Sequence, residues 1–365
     1  MFLEIRNLVR RPHRTLLTLC GIGVGAASYM SLVAVGSGLL HEFQQTVSLL
    51  GSDLVVQQGT AASVWVSRLS SEETAALRAL PHVSRVTEVV VSSTRFLGQK
   101  FFVVFGLDPG GSLFDRCRLH SGRWFVAGAG EMMIGDQAAR VIGLDAGDRI
   151  EARGQRFLVA GVYETGRSLL DGAAIMDLKA SREMFDYGDN VTLAFVDVSP
   201  PGQIENVLRE ISTQLPSLAA DRSDMWVSTY EQYMVVQRFT RGLAILALLV
   251  TALWVSNTLH ITFSERRSEL AVLRAIGWRA WRIASAAFGE AFALSVMGGA
   301  LGIPLAWLIV RALARLDEGG IYATQLTSGV VLEGVLVSVV VGMLGAILPI
   351  IRALRIPPAQ SLRAL

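Results

Sequence analysis

Few residues in this chain are spaced for chemistry of their own. No G-x-x-x-x-G-K-[ST] stretch occurs, and no glycine directly precedes either lysine, Lys100 or Lys179. A phosphate-cradling loop needs that lysine on the β- and γ-phosphates, so these residues do not hydrolyse ATP by that route. No His, Cys or carboxylate cluster has metal-ligand spacing. Asp145, Asp148 and Asp171 sit in turn-forming surroundings, and the isolated His82 and His120 are expected at the surface. Cys20 lies in an apolar run and Cys117 in polar sequence. They would sit at different depths, so no disulfide framework is expected. Two acids, Glu290 and Glu333, fall inside apolar runs, where an acid is a functional suspect by default. No array of acids forms a proton relay, and ion coupling is not expected.

The patterned polar stretch is Ser264–Ile283, SERRSELAVLRAIGWRAWRI. Leu270, Leu273 and Ile276 recur at i, i+3 and i+6, which puts one apolar stripe on a helix. Arg266, Arg267, Glu269 and Arg274 take the other faces. Gly277 can end that helix, and Trp278 and Trp281 suit a membrane interface. The stretch is too polar to span a bilayer. It reads as an amphipathic helix resting on lipid or as a docking helix for a protein partner; the residues alone do not choose.

The elements that must position this stretch are long and apolar. Runs at about Thr15–Leu40, Leu243–Phe263, Ala284–Leu313 and Leu326–Ile351 each reach the ~20 residues a bilayer requires. In hydrocarbon a backbone must satisfy its own hydrogen bonds, which favours helices. The expected fold is membrane α-helical with four transmembrane helices, plus an extracytoplasmic α+β domain carrying an inserted β-rich subdomain. Its divisions are an amphipathic arm (1–14), the first helix with its stalk (15–41), and the outward domain (42–236) with its insert (108–190). The second helix with its stalk (237–263), a coupling helix (264–283) and the third helix (284–316) follow. An outer loop (317–325), the fourth helix (326–351) and a tail (352–365) complete the chain. The first run far exceeds the roughly 7–15 apolar residues of a signal peptide, so a retained helix is expected. Leu19 before Cys20 argues against a lipoprotein anchor.

Arginine position sets orientation. Arg6, Arg10, Arg11 and Arg14 precede the first helix; Arg266, Arg267, Arg274, Arg279 and Arg282 lie in the connector; Arg352, Arg355 and Arg363 lie in the tail. With four crossings these regions share one side, the cytoplasm. Arg238, Arg241, Arg311 and Arg315 run weakly against the rule. The net charge of +2 is too small to argue for nucleic acid.

Within the outward domain, Ser52–Gln58, Val83–Leu97, Lys100–Leu107 and Thr192–Val198 read as strands. Ser70–Leu80 reads as a helix opened by a Ser70/Glu73 capping box, and Pro201–Leu215 as a second helix. Met225–Ser228 reads as a last strand. The insert offers strands at Glu131–Ile134, Arg149–Ala152, Gln155–Val162 and Ala173–Met176, and a helix at Asp136–Ile142. Helical spacing continues through His41–Leu50 and Thr229–Phe239, so stiff stalks are expected. The small residues Gly21, Gly23, Gly25, Ala26 and Ala27 allow close helix contact, within the chain or across a dimer.

The stretch Glu265–Trp278, E-R-R-S-E-L-A-V-L-R-A-I-G-W, resembles the signature of MacB/FtsX-type ABC transporter permeases. Leu270-Ala271 stands where that family usually has Ile-Gly, and Trp278 where a small residue is common. The resemblance spans nearly the whole chain. It extends to Asn7-Leu8 with Arg10, to Arg14–Thr18 and Gly21–Gly25, to Gly122-Arg123-Trp124-Phe125, and to Gly135–Val162. It continues through Glu290-Ala291, Gly298–Gly302, and the tail from Pro349 to Arg363. The resemblance implies a permease that holds no cofactor itself and works with an ABC ATPase subunit binding ATP and Mg. It implies a second permease copy, as a homodimer or as a heterodimer with a paralogue, in a bacterial cytoplasmic membrane with both termini inside. Membrane lipid surrounds it, and a periplasmic adaptor is a further partner the family allows. By the motif, Glu265, Arg266, Glu269, Leu270, Leu273, Arg274 and Gly277 would dock the ATPase. The implied work is mechanical transmission to the outer side, exporting or extracting a hydrophobic, peptide or lipid-linked substrate. The alternative is a regulator that drives an external cell-wall hydrolase; a sensor that moves nothing is more distant.

Overall fold

The computed structural model describes residues 12–354, apart from 62, 111, 230, 266–268, 270, 271, 273, 275 and 317–325. The arm before Pro12, the loop 317–325, the tail from 355, and Arg266, Leu270 and Leu273 lie outside the described residues. The described helices are α1 (Pro12–Leu50), α2 (Ser71–Ala79), α3 (Ser112–Arg116), α4 (Asp136–Ile142), α5 (Ser168–Asp171) and α6 (Leu178–Phe185). They continue as α7 (Ile204–Gln214), α8 (Trp226–Thr229), α9 (Glu231–Glu265), α10 (Ala280–Leu316) and α11 (Ser328–Leu354). The strands are β1 (Leu54–Gln58), β2 (Val83–Phe96), β3 (Gln99–Gly106), β4 (Arg118–Gly122) and β5 (Glu131–Gly135). They are followed by β6 (Arg149–Ala152), β7 (Gln155–Glu164), β8 (Ala174–Met176), β9 (Leu193–Val198) and β10 (Leu218–Arg222). The chain divides into two compact units, one around Gly38–Val236 and one around the stretch up to Ser37 with Gln237–Leu313 and the last helix.

The helical unit holds four stretches long and apolar enough to cross a membrane: Thr15–Leu49, Met234–Glu265, Ala280–Arg315 and Ser328–Leu354. Within this unit α1 packs through its small residues. A Cβ on Gly25 would lie 1.8 Å from the Thr251 hydroxyl of α9, and one on Gly302 of α10 would lie 2.8 Å from the Ala26 Cβ. Backbones at that distance gain dispersion contacts that larger side chains would block. Ala26 and Ala27 are buried with Met30 and Ala306 in one cluster. Packing within one chain therefore accounts for the stripe of small residues. The outer surfaces of α9, α10 and α11 carry many exposed apolar side chains, such as Leu249, Leu308 and Leu336. Such faces suit hydrocarbon as a solvent.

The other unit is an α+β domain on a ten-stranded sheet of order β10-β1-β9-β2-β3-β8-β5-β7-β4, with β6 beside β7. Its first part, β10-β1-β9-β2, is antiparallel throughout. With α2 after β1 and α7 after β9, this is a split β-α-β arrangement. The capping box is formed: Ser70 Oγ accepts from the Glu73 amide at 3.2 Å, and the Ser70 amide donates to Glu73 Oε2 at 2.9 Å. The hairpin β2–β3 turns at Leu97 and Gly98, both with positive φ. β2 is long enough to serve two partners. Val83–Val89 pairs with β9, and Val90–Phe96 pairs with β3. The insert therefore grows from the same sheet, with β8 parallel to β3 and β5 parallel to β7.

One strand is placed differently from the reading of Met225–Ser228. The last strand is β10, Leu218–Arg222, paired with β1 from Leu54↔Arg222 to Gln58↔Leu218. Trp226–Thr229 is helical instead, and Trp226 and Val227 are buried in a second core with Phe105 and Phe195. β10 reads LAADR, too polar to stand out. Its place at the sheet edge comes from the β1 ladder, which local sequence does not contain.

Candidate functional site

The connector begins where α9 ends, at Glu265. Glu269, Val272 and Arg274 are helical, and the turn closes as the Ile276 amide donates to Val272 O at 3.0 Å. The Gly277 amide donates to Arg274 O at 3.1 Å, and Gly277 has φ 98°. A glycine in that conformation stops a helix at little steric cost. Three residues later α10 starts. Arg274 does more than lie on a polar face. Its Nη1 donates to the carbonyl oxygen of Leu354 at 2.8 Å, at the end of α11. The last carbonyls of a helix lack partners within it and carry partial negative charge, so a guanidinium there is doubly favoured. Arg282 lies over the Trp278 ring at 4.7 Å. The Glu269 side chain is exposed.

The intramembrane acids occupy different settings. Glu333 on α11 accepts a hydrogen bond from the Tyr29 hydroxyl of α1 at 2.7 Å. Glu290 is half-buried on α10. Among the described residues no three His, Cys, Asp or Glu side chains come together to hold a metal. Cys20 and Cys117 are both unpaired. Burial pushes the Cys117 thiol up to about 12, so it is a poor nucleophile near neutral pH.

In the α+β domain the polar residues read from the sequence have structural partners. Asp145 Oδ1 accepts from Ser121 Oγ at 2.8 Å and from the Ala146 amide at 2.7 Å. Asp148 Oδ2 accepts from the Asp145 amide at 2.8 Å. Asp171 Oδ1 accepts from the Thr165 amide at 2.6 Å and its hydroxyl at 2.7 Å. His82 and His120 are exposed. The segment Gly122-Arg123-Trp124-Phe125 is a packing device. Gly122 has φ 76°, and a Cβ there would sit 2.3 Å from Ala160 O. Arg123 forks onto Glu131, which is 6% exposed, with Nη1 to Oε2 at 2.8 Å and Nη2 to Oε1. The Val126 amide adds a bond to Oε2 at 3.0 Å. These bonds, Arg123 foremost, hold the Glu131 carboxyl below its ordinary range. Trp124 packs edge-on to Phe114 at 5.1 Å, and Phe125 is buried.

Two partnerships escaped sequence reading: Arg274 with Leu354, and Arg123 with Glu131. Arg274 carried a motif signal but none for its partner. The second pair spans eight residues across a loop, with no periodic spacing to reveal it.

Four apolar helices, a connector between the second and third, and an α+β domain between the first and second in the chain make up the described architecture. Residues 15–214 match the MacB-like periplasmic core domain, and 241–358 match the FtsX-like permease C-terminal domain. The chain belongs to this MacB/FtsX family of ABC transporter permeases and is a multi-pass membrane protein. An uncharacterized ABC transporter permease of Methanocaldococcus jannaschii is 24% identical, over 98% of this chain and 96% of the relative. The macrolide export ATP-binding/permease protein MacB of Shewanella oneidensis is 26% identical over 99% of this chain. The pyoverdine export ATP-binding/permease protein PvdT of Pseudomonas syringae is 28% identical over 96% of this chain. The chain spans 60% and 57% of the length of these two.

Proposed function

We propose that this chain is the permease of an ATP-driven exporter, with ATP and Mg bound by a partner ATPase subunit that docks on the 264–283 connector. Both termini and the connector face the cytoplasm, and the α+β domain faces outward, as the arginine bias requires. Two permease copies face two ATPase subunits. The molecule exported or extracted is hydrophobic, a peptide or lipid-linked; two relatives are named for the export of macrolides and of pyoverdine. ATP-driven movement of the connector passes along α1 and α9, each of which runs without a break beyond membrane length.

The observation that supports this reading most is the connector itself. It joins two membrane-length helices directly, ends on a left-handed Gly277, and is tied by Arg274 to the last helix. A segment built this way can receive force without being pulled loose. The test is co-purification with the ATPase. Leu273→Asp or Glu269→Lys should lower ATPase recovery about tenfold while membrane insertion stays intact. Unchanged stoichiometry in both variants would sink the docking role.

A further inference from the structure

We propose that the helical unit binds the zwitterionic headgroup of a phospholipid with a primary ammonium, of the phosphatidylethanolamine type, between Arg241 of α9 and Glu333 of α11. The inference rests on the four spans and not on the transport reading. The two helices approach closely: a Cβ on Gly345 of α11 would lie 2.6 Å from the Ala252 carbonyl oxygen of α9. With four crossings, α9 and α11 run in the same direction. Arg241 precedes Ala252 by about three turns on the same stripe, and Glu333 precedes Gly345 by slightly more. At about 1.5 Å per residue both side chains start about 17–18 Å from that contact, so they share one depth. Arg241 stands just before the apolar run Leu243–Phe263, where lipid headgroups lie.

Both side chains are exposed, and each shares a helix face with apolar residues that suit hydrocarbon. Ile245 and Leu249 follow Arg241 at i+4 and i+8, Leu336 and Val340 follow Glu333 at i+3 and i+7, and all four are exposed. Tyr29 of α1 links the two charges. Its hydroxyl donates to Glu333 Oε1 at 2.7 Å and also feels the charge of Arg241. Yet among the described residues neither Arg241 nor Glu333 forms an ion pair, and no donor reaches Glu333 Oε2. Unpaired charges on lipid-facing helix surfaces are costly. A headgroup phosphate would accept from the guanidinium fork, and an ammonium joined to it by an ethylene link would donate to Oε2. A choline headgroup has no N–H to donate, and a glycerol headgroup has no cation, so neither answers the carboxylate.

The test is native mass spectrometry of the full chain, freed of co-purified lipid. It is titrated with phosphatidylethanolamine, phosphatidylcholine and phosphatidylglycerol of matched acyl chains. The ethanolamine lipid should bind about tenfold tighter than the other two, as one charge-assisted hydrogen bond allows. Glu333→Gln keeps the shape and an acceptor for Tyr29 while removing the charge. It should bring the ethanolamine lipid down to the level of the choline lipid. Arg241→Gln should weaken all three lipids alike, by about three- to tenfold; thermal unfolding confirms that each variant is folded. Equal affinities for the ethanolamine and choline lipids in the unmodified protein would overturn the proposal. So would an ethanolamine preference that survives Glu333→Gln, or unchanged affinities in Arg241→Gln, either of which would place the headgroup elsewhere.

Discussion

Arg274 and Glu131 each have a partner that the sequence did not show. On sequence grounds Arg274 belongs with the residues that would touch an ATPase. In the structure its guanidinium is already engaged, on the Leu354 carbonyl. That bond holds the connector against the end of α11. Arg274→Ala should therefore raise amide hydrogen exchange across 269–277 about five- to tenfold in the isolated permease. Exchange in Arg274→Ala equal to that of the unmodified permease would remove the strut role. Glu131 carries a pH consequence. Its folded pKa is depressed, so its contribution is present above the ordinary carboxylate value near about 4.3 and is lost as pH falls below it. Glu131→Gln should lower stability by about 1–2 kcal/mol at neutral pH, discounted for the exposed Arg123 side. The gap from the unmodified protein should narrow on acidification. A constant gap from pH 7 to pH 3 would refute the assignment.

At the scale of elements, α1 and α9 stand out for length. They have 39 and 35 residues, well beyond the ~20 that cross a bilayer. The stretches His41–Leu50 and Thr229–Phe239 read as stalks; His41–Leu50 is helical to the end of α1, whereas in the second stretch Thr229 ends α8 and residues 231–239 belong to α9. Glu42 near the end of α1 accepts from the Ser168 amide at 3.2 Å, and Gln45 Oε1 accepts from Arg167 Nη1. The end of α1 is thereby pinned to α5 of the domain it enters. A Gly-Ser pair inserted after Gln45, and another after Gln237, should uncouple ATP hydrolysis from substrate export while both units stay folded. Comparison of ATPase rate with export in the same membranes would show this. Full export with both insertions would show that no stiff transmission passes this way.

At the scale of the whole molecule, the proposed orientation rests on arginine distribution and can be tested at exposed positions. Arg149 and Glu205 of the α+β domain are exposed. In a background with Cys20 and Cys117 replaced, an impermeant thiol reagent added from outside should label Arg149→Cys and Glu205→Cys. It should spare Glu269→Cys and Gln360→Cys. The reverse pattern would invert the topology.

The sequence alone determined the four spans, the capping box at Ser70 and the helix stop at Gly277. Each rests on composition or spacing within a few residues, and local physics suffices for it. The family signature was legible for the same reason, being a contiguous run. Tertiary structure decided the rest. It put the polar LAADR at the sheet edge and turned Trp226–Thr229 into a helix over a buried core. It gave the small residues of α1 partners inside the chain, where spacing alone fits a dimer equally well. It joined Arg274 to a carbonyl 80 residues away. It also set Arg241 and Glu333 at one depth on neighbouring helices. These partners meet only when distant segments close on one another, and no window of sequence contains both sides of such a contact.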